Sequence, residues 1–226
     1  MANIVNKKDG TQKMKQKMNE FSVALGLFDY INPIFYAITS ITIIKNYYGV
    51  MSITSFIFLA AGCILSMIFG LSIPTLKFIV GLGKIKFKMP VNLVFYVNLG
   101  LFITGMTLFK YTFLTSTITT ILILLATIIL LLMIYLKSKK FNTIAVLIGM
   151  VGYLLIYSSL IKTAIKSNYY LSIILYSIAI CFMIFLVLIG VFSNLKKAKV
   201  HWTLEICNVL CQGFVALSTV LLFAHI

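Results

Sequence analysis

Seven stretches of this chain, residues 22–44, 53–73, 91–109, 117–136, 142–161, 170–192 and 201–224, each run for about 20 residues. Asp29 and Glu205 are the only Asp, Glu, Lys or Arg side chains inside them. A helix rises about 1.5 Å per residue, so about 20 apolar residues span the hydrocarbon core of a bilayer. The chain is 62% hydrophobic and 10% charged over 226 residues. Soluble domains run nearer half apolar and a quarter charged, so no water-soluble core accounts for this sequence. Strand-like alternation is absent, which argues against a membrane barrel. The predicted fold is all-α: a polytopic transmembrane helix bundle of seven spans, forming one domain over 22–226 behind a lysine-rich tail at 1–21.

The basic residues orient it. All 19 are lysines, and fifteen fall in the N-terminal tail or in alternate connections, at 77–88, 137–140 and 196–199. Lys45, Lys110, Lys162 and Lys166 fall on the other side. Cytoplasmic loops carry the lysine excess, so the N-terminus is expected inside and the C-terminus outside a plasma membrane. The net charge of +15 then reflects topology and contact with anionic lipid headgroups, not a nucleic-acid partner. The polar first 20 residues and the long apolar run behind them read as a retained first span, not a cleaved signal.

Two segments are irregular. Pro74 is expected to end or kink the second span, leaving 74–90 as a basic segment at the cytoplasmic interface. The N-terminal tail places Met14, Met18, Phe21 and Leu25 at helical spacing, as an interfacial helix would. The fourth span, 117–136, has an inner part that is apolar all round and is expected to face lipid. Three spans on either side of it allow a 3+1+3 arrangement. Cys63, Cys181, Cys207 and Cys211 form no CxxC pair and read as small buried apolar residues. Gly100, Gly105, Gly149 and Gly152 fit close helix packing. Tyr47, Tyr48, Tyr169 and Tyr170 fit interfacial belts.

The polar residues inside the spans carry the functional signal. His201, Glu205, Asn208 and Gln212 fall within about 60° of one another at 100° per residue, a single narrow stripe on the last span. Asp29, Asn32, Tyr36 and Ser40 form a second stripe on the first span, with Pro33 beside it. Both acids lie roughly 6–10 Å in from the cytoplasmic end, and Asn92 and Asn98 of the third span fall in the same half. Pro33 leaves a backbone carbonyl near Asp29 without its donor. An ionisable group within a span is a functional-site hypothesis by default. The expectation is a polar, cytoplasm-facing cavity between the first and last spans, lined by Asp29, Asn32, Tyr36, Asn98, His201, Glu205, Asn208 and Gln212, with no basic residue at depth. The structural alternative has Glu205 pairing with Lys196, Lys197 or Lys199, Asp29 bonding Asn98, and the amides joining helices.

Three function classes follow. The cavity suits a transporter or channel for a small cation, a proton or a polar amine-type metabolite. A non-catalytic subunit, assembly factor or immunity-type protein would dock a membrane partner, or a second copy, through its lysine-rich loops. The third class starts from His201-x-x-x-Glu205, one turn apart, with Asp29 as a third ligand. In size and seven-helix topology the chain resembles the progestin and adiponectin receptor family, including bacterial haemolysin III proteins. That resemblance implies a metal-dependent hydrolase with a histidine-rich zinc site. The intramembrane histidine cluster of that family is missing, and GxSxG and HExxH do not occur. No catalytic residue, metal or cofactor is expected.

Overall fold

The structure is a computed structural model that describes residues 23–82, 91–113, 141–192 and 198–226. These form α1 (Val23–Asp29), α2 (Ile31–Tyr47), α3 (Ile53–Gly81), α4 (Val91–Phe113), α5 (Phe141–Lys166), α6 (Tyr170–Phe192) and α7 (Ala198–His225), with no strand among the described residues. Five helices there are long and apolar enough to cross a membrane, taking α1 and α2 together: Val23–Tyr47, Ile53–Gly81, Leu93–Phe113, Leu147–Lys166 and Val200–His225. The described apolar stretch of α6, Tyr170–Leu186, is shorter. The tail at 1–21, the fourth span at 117–136 and the basic residues 83–90 lie outside the described residues, and with them the centre of the 3+1+3 arrangement.

Local chemistry sets the helix boundaries. α1 and α2 form one span interrupted at Tyr30, where the Tyr30 amide bonds Leu27 O in a tighter three-residue turn. Pro33 has no N–H to offer the Asp29 carbonyl, and the helix resumes with the Ile34 amide on Tyr30 O. Ser52 caps α3, its hydroxyl accepting from the Ser55 amide. The α5–α6 turn closes on Asn168 at φ 55°, with the Tyr169 amide reaching back to Ala164 O. Asparagine tolerates that left-handed conformation better than most residues.

Pro74 does not end α3: the helix runs through it to Gly81. Neighbouring helices can re-satisfy the backbone that proline frees within a membrane. Residues 74–81 of the expected basic segment form the end of α3, and 83–90 lie outside the described residues.

The bundle buries hydroxyl side chains within an apolar core and leaves large apolar side chains on its exterior. Ile53, Ile57, Phe58, Ile68, Ile174 and Phe185 are exposed, while Ser40, Ser66, Thr104, Ser159, Ser172, Ser218 and Thr219 are buried. Such an apolar exterior belongs against lipid. Tyr47 is in the core, edge-on to Tyr111 and Phe223, while Tyr48 and Tyr170 are exposed as a belt requires. Three cysteines are buried; Cys181 is exposed.

α4 packs against both α3 and α5, α6 against α7, α7 against α2, and α1 against α3. Helices in lipid gain little from hydrophobic burial against each other, so small residues and hydrogen bonds dominate these crossings. A Cβ on Gly152 would lie 2.7 Å from Leu101 C and Phe102 N, and one on Gly62 2.8 Å from Thr104 N. At α6–α7, Ser172 Oγ donates to Ser218 O and Ser218 Oγ to Ser172 O, each at 3.0 Å.

Gly152→Leu pushes a side chain into the α4 backbone. Overpacking of about 1–3 kcal/mol corresponds to a fall in Tm of roughly 2–12 °C for a chain of this size. Leu154→Ala, at a side chain that is 50% exposed, is expected to leave Tm nearly unchanged. Thermal unfolding of the purified protein in detergent compares the two.

Candidate functional site

Most residues of the two predicted stripes, though not Ser40 or His201, line one cavity, and a third helix joins them. Asp29 closes α1, Asn32 and Tyr36 sit one and two turns further along on α2, and Glu205, Asn208 and Gln212 follow the helical repeat of α7. From α3 come Ser66, Gly70, Ile73, Pro74 and Lys77, again at helical spacing. Val97 and Leu101 of α4 and Tyr153 of α5 complete the wall. The space they enclose is about 210 Å³.

Lys77 is the centre. Its Nζ lies 2.7 Å from Asp29 Oδ2 and 2.5 Å from Glu205 Oε1. Asn32 Nδ2 braces the other carboxylate oxygens, donating to Asp29 Oδ1 at 3.1 Å and Glu205 Oε2 at 3.3 Å. The two acceptors fix which end of the Asn32 amide faces the acids. The side chains of Lys77, Asp29 and Glu205 are 12%, 8% and 13% exposed, so the cluster is buried without being sealed. With ordinary charges, two carboxylates and one ammonium leave a net charge of −1 inside the bundle. Asn32 Oδ1 and the Tyr36 hydroxyl are buried with no hydrogen-bond partner among the described residues. Deeper in, Gln212 Nε2 donates to the Tyr153 hydroxyl at 2.9 Å.

Several expectations are corrected here. The cavity does hold a basic residue at depth, Lys77. Asn98 does not line it: its amide packs where a Cβ on Gly149 of α5 would stand. His201 lies one turn before Glu205 on α7 and is not among the cavity-lining residues. The neighbouring Trp202 stacks at a tilt on Phe28, 5.7 Å between centroids. Among the described side chains the ammonium that pairs with Glu205 is that of Lys77; the side chains of Lys196, Lys197 and Lys199 lie outside them, and that of Asn92 does too.

Sequence reading missed Lys77 and Tyr153. Lys77 was legible in one respect: Phe78-Ile79-Val80 continue the apolar run past Pro74, which a plain basic loop would not do. Tyr153 carries no such signal, since a tyrosine on a long apolar helix has no distinguishing neighbour.

The hydrolase reading gains nothing from this geometry. Among the described residues no three His, Cys, Asp or Glu side chains converge as metal ligands. The carboxylates that would ligate a metal hold an ammonium instead.

Removing one partner from a buried ion cluster leaves uncompensated charge and costs about 3–5 kcal/mol. Lys77→Met is therefore expected to be strongly destabilising. Adding Glu205→Gln removes one of the stranded carboxylates and is expected to restore part of the loss. A double-mutant cycle in thermal unfolding reads the coupling; strictly additive losses would show that the three side chains do not act as one cluster.

Comparison with known proteins gives no relative to set beside this site: no protein-family model, curated protein or solved structure matches the chain.

Proposed function

We propose that this chain is a seven-span plasma-membrane transporter that carries a small cation, a proton or a polar amine through the cavity at Asp29, Lys77 and Glu205. The observation that carries the reading is a partly accessible ion cluster, with one carboxylate in excess, inside helices apolar enough to span a bilayer. Charge within a membrane is expensive and is retained where ions or polar solutes pass. A cluster serving only to hold helices together needs no surplus acid and no adjoining 210 Å³ cavity.

Geometry also supports the seven-span topology. Phe113, which ends α4, lies under the Lys162 ammonium of α5, 4.0 Å from ring centroid to Nζ. α5 begins at Phe141, about 21 residues earlier, or roughly 32 Å of helix. The connection from 114 to 140 has to cover that height, which favours a span at 117–136. Seven spans with an N-terminus inside put the ion cluster in the cytoplasmic half. The lysine-rich connections on that side would meet anionic headgroups.

Purified protein in proteoliposomes, with imposed proton, alkali-cation or amine gradients, tests the proposal. Flux is expected in the wild type and is expected to fall at least about tenfold, the equivalent of about 1.4 kcal/mol, in Asp29→Asn and in Glu205→Gln. Flux unchanged in both variants would remove the carboxylates from the mechanism.

A further inference from the structure

We infer that the ligand of this cavity is a small primary ammonium ion on a short unbranched apolar tail, and that Lys77 is its tethered competitor. The inference deepens the transport reading by naming the substrate class.

The structure already contains an ammonium receptor with an ammonium in it. Lys77 is in effect a four-carbon alkylammonium attached to α3. Its Nζ takes two acceptors from two different helices, Asp29 Oδ2 and Glu205 Oε1. Both carboxylates are held in place from behind by one amide, Asn32 Nδ2. An ammonium has three N–H donors, and two carboxylate oxygens at 2.5–2.7 Å are the charge-assisted contacts it forms best.

The rest of the wall fits an organic cation better than a bare metal ion. Hard divalent cations take about six to eight oxygens. The lining mixes side chains that offer none, Ile73, Val97 and Leu101, with oxygen-bearing ones such as Asn208 and Gln212, so it has an apolar part that a bare metal ion would leave unused. Those apolar side chains suit a short hydrocarbon tail, and about 210 Å³ accommodates one of a few carbons. Among the described side chains the cluster carries one carboxylate more than it has cations, so a monovalent guest neutralises it. Asn32 Oδ1 and the Tyr36 hydroxyl, buried and unpartnered among the described residues, supply further acceptors for N–H groups.

Lys77 is also placed to yield. It sits one turn from the end of α3 at Gly81, with 12% of its side chain exposed. A long lysine stem can carry its head toward the surface. A free amine then takes the carboxylates, and Lys77 returns when the amine departs.

The test uses the purified full chain in detergent at matched ionic strength, with n-propylammonium chloride as probe. Lys77→Ala is expected to rise in Tm by roughly 5–10 °C at one hundred times Kd. The wild type is expected to need at least tenfold more amine for the same rise, because its own ammonium competes. Sodium chloride, tetramethylammonium and 1-propanol are expected to leave both unchanged, and an Asp29→Asn, Glu205→Gln double variant is expected to ignore the amine. Lys77→Met, whose side chain occupies similar volume without charge, serves if Lys77→Ala cannot be purified. A folded Lys77 variant that fails to respond to propylammonium, or responds equally to sodium, overturns the inference. Amine binding without flux in proteoliposomes keeps this inference and removes the transport reading. Cation flux without any amine response does the reverse.

Discussion

One ammonium between two carboxylates decides how this bundle closes. Lys77 comes from α3, Asp29 from the end of α1 and Glu205 from the first third of α7, 128 residues away from the lysine. None of the three tolerates burial alone, because an ion taken out of water without its partner loses several kcal/mol. Their meeting therefore fixes the rotation of three helices at once. It also fixes the polar stripes behind them: with Asp29 and Glu205 facing Lys77, Asn32 and Tyr36 on α2 and Asn208 and Gln212 on α7 turn toward the same space.

Around that meeting point the two sides of the bundle use different adhesives. α3, α4 and α5 approach through glycines, with Gly62 against Thr104 and Gly152 against the backbone at Leu101. Ser66 reaches across to Val97 O at 2.9 Å. α6 and α7 use hydroxyls, in the reciprocal Ser172–Ser218 pair and the 2.9 Å contact of Tyr176 with Thr219. Both devices suit a solvent as apolar as the side chains themselves, where burying more leucine gains nothing. The cavity adjoins the first of these crossings, with Ser66 and Val97 among its lining residues.

Much of this was legible in the residues, and what was not has a physical reason. The spans follow from length and apolarity, and the stripes on the first and last spans follow from a period of 3.6, which needs no partner to be read. Convergence of the stripes is a tertiary fact that period alone leaves open. Lys77 was hidden by Pro74, whose usual effect on a helix in water placed the lysine in a loop and counted it among the orienting charges. In a packed membrane bundle the same proline is tolerated. Asn98 fell on the right level and the wrong face: depth along a helix is readable from sequence, but the neighbour it meets, Gly149 of α5, is not.

The crossing of α1 and α3 has a mechanical consequence. A Cβ on Gly26 would stand 2.8 Å from Phe78 N and 2.9 Å from Phe78 Cα. Gly26 is one turn before Asp29, and Phe78 directly follows Lys77. Backbone therefore rests on backbone at the level of the ion pair, and these two helices cannot slide there without separating. α7 meets α1 near the same level through the Phe28–Trp202 rings, and its Glu205 reaches Lys77 of α3. The two acids therefore hold the ammonium from unequal footings: Asp29 and Lys77 stand on helices whose backbones touch, and Glu205 reaches in from α7.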